Sequence, residues 1–440
     1  MRRIVGVVLM SAAIGCLDAG PARAQQWSFE EVVANLKVGD PKVRMEALRL
    51  LRQAGYLESA PAVAPLLSDP VPDIQALAVE TAVALYLVDE PYVREYGQAI
   101  VKQKGASLPL LAYAVGRGAT IANPPTLSVL RGLSGALLSP SAPIQFDAAY
   151  AIGVLAPALV RRGQLPEGRS TCDRLMTFLR NPDATIRLAG THVLGRLMGA
   201  ALENPSANAE ILALRGDVGD QIIAGMNDSD ALIKFAAMAA LGEIRHERAV
   251  QALTDSIAYY KRGPLGLAAL DALAHIAHPA SVTLFAGLLE ADDEQGRRSA
   301  VEGLARSGDQ TAMSNLLVRT AREKSALVLQ AIAFARAKQG DFSQIARVVE
   351  GLRSTETGVY AFGYLVELGA PLAPSLAGAA SYKDAQVRAG VAEVLGMIGT
   401  QASLPTIDAL TRDKDKRVGA AAERSRRRLV PRTPTQPRVP

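Results

Sequence analysis

Aromatic residues make up only 5% of this 440-residue chain, with a single tryptophan, four histidines and two cysteines. So thin an aromatic supply does not suit a β-sandwich. Nor is there an H-E-x-x-H pair, a phosphate-cradling glycine loop, a nucleophile elbow or a Cys/His cluster, so the usual marks of metalloprotease, nucleotide-binding and acyl-transfer chemistry are missing. No catalytic residue, metal site or cofactor is therefore expected. Charged residues at 21% and few long polar tracts argue against wholesale disorder. What the chain does have is apolar content of 49%, dominated by alanine, leucine and valine. That composition suits helices packed closely through small side chains. At this length a single compact core would be unusually large, so several domains or an extended repeat array are the default.

The first 24 residues stand apart. Arg2 and Arg3 give a basic start, Ile4 to Leu17 is almost wholly apolar, and Ala22-Arg23-Ala24 is an A-x-A cleavage signature. This reads as a secretory signal peptide (1–24) cut after Ala24, which places the mature protein in a bacterial periplasm or outside the cell. The run falls short of the ~20 residues a membrane span needs. Ala13-Ile14-Gly15-Cys16 resembles a lipoprotein box with alanine where leucine is usual, so a lipid anchor at Cys16 is the rival to simple cleavage. After cleavage only Cys172 remains, which excludes an intramolecular disulfide and leaves an intermolecular one through that thiol open.

The formal charge of +5 is unevenly distributed. Loss of Arg2, Arg3, Arg23 and Asp18 leaves +3, and the six arginines after Glu423 leave −3 for the body. The high pI of 9.2 thus belongs to the two ends, and the body offers no basic face to a phosphate backbone. No nucleic-acid partner is expected. The segment LVPRTPTQPRVP cannot continue a helix, so 430–440 reads as an extended tail in weak contact, at most, with an anionic envelope.

Between these ends one pattern recurs. DPKVRMEALRLLRQAG begins at Asp40, DATIRLAGTHVLGRL at Asp183, DALIKFAAMAALGEI at Asp230, DAQVRAGVAEVLGMIG at Asp384 and DKRVGAAAERSRRRL at Asp415. Each acid precedes a β-branched anchor by three residues: Val43, Ile186, Ile233, Val387 and Val418. Weaker copies centre on Ile74, Ile144 and Leu265, and looser ones fall near Arg297, Val328 and Gly358. A period of about thirty residues is the signature of a solenoid. After each anchor, apolar or small residues recur at +3, +4, +7, +8 and +11, the stripe of a helix with one buried face. The aspartates are placed to cap these helices, and Gly153, Gly195, Gly242 and Gly396 share the +9 register, where neighbouring backbones are expected to approach closely.

The D-x-x-V-R-x-x-A-A-x-x-L-G pattern resembles HEAT repeats, in the short form also found in phycobilisome lyases. It covers residues 28–429. The resemblance implies an all-α, right-handed α-solenoid (superhelix) of about twelve HEAT-like helix pairs over 25–429, with the second helix of each pair lining the concave side. It also implies a ladder in which the repeated acid and arginine bond between neighbours, here Asp40/Arg44, Asp183/Arg187, Asp230/Lys234 and Asp384/Arg388. Gln75, Gln145 and Gly419 depart from the arginine position, so the ladder is expected to be interrupted. The long interval from Ile74 to Ile144 suggests one degenerate repeat near Leu108. The longer step from Ile186 to Ile233 places extra material at 204–220, as a longer helix or a functional excursion.

Candidate contacts follow from the register. Arg49, Tyr150, His192 and Glu393 lie at +6 and Phe146 at +2, on a helix face the core stripe does not claim, and such side chains commonly anchor interfaces. His275 and His278 stand three apart, where one helix face would bring them together, but His278, like His246, lies at +13 from its anchor and reads as an inter-helix turn residue. Asp292, Asp293 and Glu294 read as a solvated loop. The function expected is a non-enzymatic scaffold or adaptor of the cell envelope that binds a protein partner. The alternatives are a lyase-like enzyme acting on a chromophore, a lipid-anchored envelope scaffold, and a HEAT-like DNA glycosylase, which would need a basic, aromatic-lined groove.

Overall fold

A computed structural model describes residues 27–87 and 123–430, apart from 166, 204–208, 262, 320–321 and 355. The expected signal segment, most of the expected tail and the vicinity of Leu108 lie outside the described residues. Within them every regular element is a helix, and the chain is an all-α solenoid.

Eleven anchored helices form one layer: α1 (Pro41–Ala54), α2 (Pro72–Tyr86), α3 (Ala142–Leu155), α4 (Ala184–Leu202), α5 (Ala231–Glu243) and α6 (Pro264–Ile276). They continue as α7 (Glu294–Ser307), α8 (Ala326–Lys338), α9 (Gly358–Leu368), α10 (Ala385–Ile398) and α11 (Lys416–Leu429). Each packs against the next in chain order, while shorter helices such as Ser170–Phe178 and Val250–Tyr260 form a second layer behind them. The anchors sit between the layers. Ile74, Ile144, Ile186, Ile233, Val328, Val387 and Val418 are each at most 3% exposed, and burying such a side chain stabilises by about 1.5–3 kcal/mol.

Helix starts follow from the aspartates. Asp40, Asp183, Asp230, Asp384 and Asp415 each accept a hydrogen bond from the backbone N–H two residues on, at 2.8–2.9 Å. Such a cap contributes about 1 kcal/mol. Asp293 does the same for α7, accepting from Gly296 N–H at 2.7 Å, so it is a cap and not a free loop acid. This shifts the reading of that repeat by one residue: Gly296, not Arg297, holds the anchor position.

The +9 glycines mark where neighbouring rungs touch. A Cβ added at Gly242 would lie 2.9 Å from Ala272 Cα, and one at Gly396 would lie 2.9 Å from Ser425 Cα. In both cases the contact is with +7 of the next anchored helix.

Two irregular intervals resolve differently. Among the described residues, helix α2 packs directly on α3, with no rung between them. The extra residues near 204–220 lengthen a hairpin, with α4 running 19 residues and the following helix, Ala209–Ile223, running 15. Among the described residues one stretch, Ala142–Val160, is long and apolar enough to cross a membrane, but 72% of its apolar window is buried inside the stack.

Candidate partner-binding face

The repeated arginine makes a fixed set of bonds. Arg44 grips Asp69 through Nε and Nη2 at 3.0 and 3.2 Å, while its Nη1 donates to the Val38 and Gly39 carbonyls at 2.8 Å. Arg187 does the same with Asp228 at 2.8 and 3.1 Å, and Arg388 with Asp413 at 2.7 and 2.8 Å. The capping aspartate is therefore not the rung acid. That partner is a second carboxylate five residues before the next anchor, itself held by a backbone N–H such as Val71 or Asp230. Hydrogen bonding to arginine holds Asp228 and Asp413 below the ordinary carboxylate range. Arg297 makes the same set of bonds with Glu323.

Degenerate rungs occupy the same geometry. Lys234 meets the Tyr260 hydroxyl at 3.3 Å, and the Ser139 hydroxyl donates to Gln75 Oε1 at 3.1 Å. The second contact is another sign that the Ile74 and Ile144 units are neighbours.

Residues 233–258, covering α5 from Ile233 on and most of the helix after it, match the model of the PBS lyase HEAT-like repeat. That stretch is one HEAT-like repeat unit of this all-α solenoid. Comparison with curated proteins finds no match. A solved engineered protein aligns over 91% of this chain and 98% of its own, at 16% identity and a TM-score of 0.31.

The HEAT register also locates a dense polar cluster. From α7 come Arg298, Glu302 and Arg306, at +2, +6 and +10 from Gly296; from α9 come Tyr360, Tyr364 and Glu367. Arg298 and Arg306 both pair with Glu302, the latter at 2.9 Å, and Tyr364 O–H donates to Glu302 at 2.5 Å. Arg306 also holds Glu367 at 2.8 Å, and Arg298 reaches Asp271 of α6 at 2.6 Å. Arg298 stacks over the Tyr360 ring at 4.2 Å, and Tyr364 lies on Phe334 of α8 with ring centroids 4.4 Å apart.

Glu302 is 2% exposed. Burial alone would push its carboxyl up, but the two guanidiniums outweigh that and hold it below the usual range. Burial likewise raises Tyr364, with Glu302 adding to it, so its hydroxyl stays a donor.

Helices α7 and α9 are next-nearest neighbours with α8 between them, yet their side chains meet over Phe334 of α8, on the face that carries the +2/+6/+10 register.

The expected contact residues spread across that face. Arg49 projects with 57% of its side chain exposed, paired with Glu46 at 3.4 Å. Phe146 and His192 are half-buried. Tyr150 is 3% exposed, packed into the stack, and presents no surface. Glu393 accepts from Arg424 of α11 at 2.7 Å. Phe235, at +2 on α5 and 42% exposed, belongs to the same register and escaped the sequence reading. Counting from Gly296 would also have found Glu302.

Other candidates have local roles. Ala277 takes a left-handed φ of 55°, so the chain leaves the helix between His275 and His278 and the two do not share a helix face. His275 Nδ1 bonds the Asp271 carbonyl, and His278 Nδ1 accepts from Ala280 N–H. Among the described residues no group of three or more His, Cys, Asp or Glu side chains could hold a metal ion. Cys172 is 1% exposed, and burial pushes its thiol up to about 12. A shallow groove of about 370 Å³ lies in the second layer between Ser170–Phe178 and Ala209–Ile223. Its Arg169 is already held by Asp173 and Asp217, and its Asp220 by His246 and Arg248.

Proposed function

We propose that this HEAT-repeat chain is an exported, non-enzymatic scaffold that docks a protein partner on the +2/+6/+10 face between α1 and α6. The observation that carries the reading is the contrast along that face. From α7 to α9 that register is filled by the chain's own side chains, whereas before it Arg49 and Phe235 remain exposed in the same register. An aromatic and an arginine are the side chains that most often dominate binding energy. Export rests on the N-terminal sequence, and the basic end of the chain is suited to weak, salt-sensitive contact with an anionic envelope.

The test is affinity capture from the exported fraction with the mature chain and with Arg49→Glu/Phe235→Ala. A stoichiometric protein retained by the parent and lost by the variant, at unchanged melting temperature, supports the proposal. Retention by both places the partner elsewhere, and a co-purified chromophore with turnover favours the lyase-like alternative.

A further inference from the structure

Helix α9 lacks the devices that seat its neighbours. Its anchor position is Gly358, which has no side chain to fill the seat between the layers. Thr357, at its N-cap, makes no side-chain cap bond. Its rung position is Val359, 67% exposed, where α1, α4, α7 and α10 carry arginine. The neighbouring chain has adjusted to this: a Cβ on Gly390 of α10 would meet Leu352, at the end of the second-layer helix Ile345–Gly351, within 3.1–3.2 Å. Part of the support for α10 thus comes from one unit further back than usual.

What does hold α9 is the cluster across α8. Tyr360 lies under Arg298, Tyr364 bonds Glu302 while stacking on Phe334, and Glu367 takes Arg306 along with Lys338 of α8 at 3.5 Å. All three α9 side chains fall at i, i+4 and i+7, one helix face turned back toward α7.

We infer that the α7–α9 clasp is a strap that holds α9 out of the line of anchored helices and so fixes the bend between the segment ending at α8 and the segment beginning at α10. A buried ionic cluster of this kind contributes less to net stability than to selecting one arrangement, because desolvation offsets much of its attraction. Without the strap, α9 is free to move toward the row, and a full return would lengthen it by about one helix spacing, ~8–10 Å.

The experiment is a spin-label distance measurement between cysteines introduced as Gln251→Cys and Arg412→Cys, on exposed sites either side of the clasp. Native Cys172 is buried and does not label. In the parent the expected result is one narrow distance. In Arg298→Met/Glu302→Leu/Arg306→Met, helix content by circular dichroism is retained while the distance lengthens or its distribution broadens. Should that variant not fold, Tyr364→Phe/Glu367→Gln provides the same readout with smaller disruption. An unchanged narrow distance in a folded variant, with or without a fall in melting temperature, overturns the inference and makes the cluster ordinary packing.

Discussion

Arg388 uses Nε and Nη2 on one carboxylate of the next unit and Nη1 on two carbonyls of its own approach to the helix. Each bond is charge-assisted, and the side chain is 7% exposed, so its removal strands polar groups on both units. Arg388→Met is expected to cost about 1.5–3 kcal/mol in urea denaturation, against roughly 0.5 or less for Arg49→Ala on the open surface. The rungs also set an acid limit. Asp228 and Asp413 have lower pKa values folded than unfolded, so their contribution is complete above about pH 4 and is lost as pH falls through the native values. Asp228→Asn/Asp413→Asn should therefore melt lower than the parent near neutrality and show a flatter loss of melting temperature on acidification. At Cys172 the expected outcome is no reaction with a thiol reagent until the protein unfolds, followed by full modification in denaturant. The capping aspartates were legible because a cap acts on its own helix. The rung acids were not, since Asp69, Asp228 and Asp413 pair across some 25 to 41 residues and only the folded stack shows which carboxylate arrives.

At the scale of elements, spacing predicted most of the anchored helices and explained the +9 glycines. Gly242→Val places methyl groups against the Ala272 backbone and should lower stability by about 1–3 kcal/mol, measured as a fall in thermal midpoint with helix content retained. Periodicity misled where a small residue took the anchor position. Gly296 carries no apolar signal, so the count settled on Arg297, which hid a rung arginine and moved Glu302 out of its register. The repeat expected near Leu108 falls among residues 88–122, outside the described residues; within them α2 packs directly on α3 and Ser139 bonds Gln75.

Across the whole molecule, a solenoid gains its stability locally and offers its surface as a long strip. The strip that carries the +2/+6/+10 register divides into two parts. Around α7–α9 it is closed on itself by paired charges and aromatic stacking, and from α1 to α6 it retains exposed side chains of the kind that anchor partners. That this register is filled from within around α8 required the structure, because only the folded stack shows α7 and α9 meeting over Phe334. The most direct measurement is photo-crosslinking from a reactive amino acid placed at position 49, 235 or 251, with 251 on the second layer. The account predicts an adduct with one protein from 49 and 235 and none from 251. An equal or stronger adduct from 251, or none from 49 and 235 while the partner still binds, would contradict it.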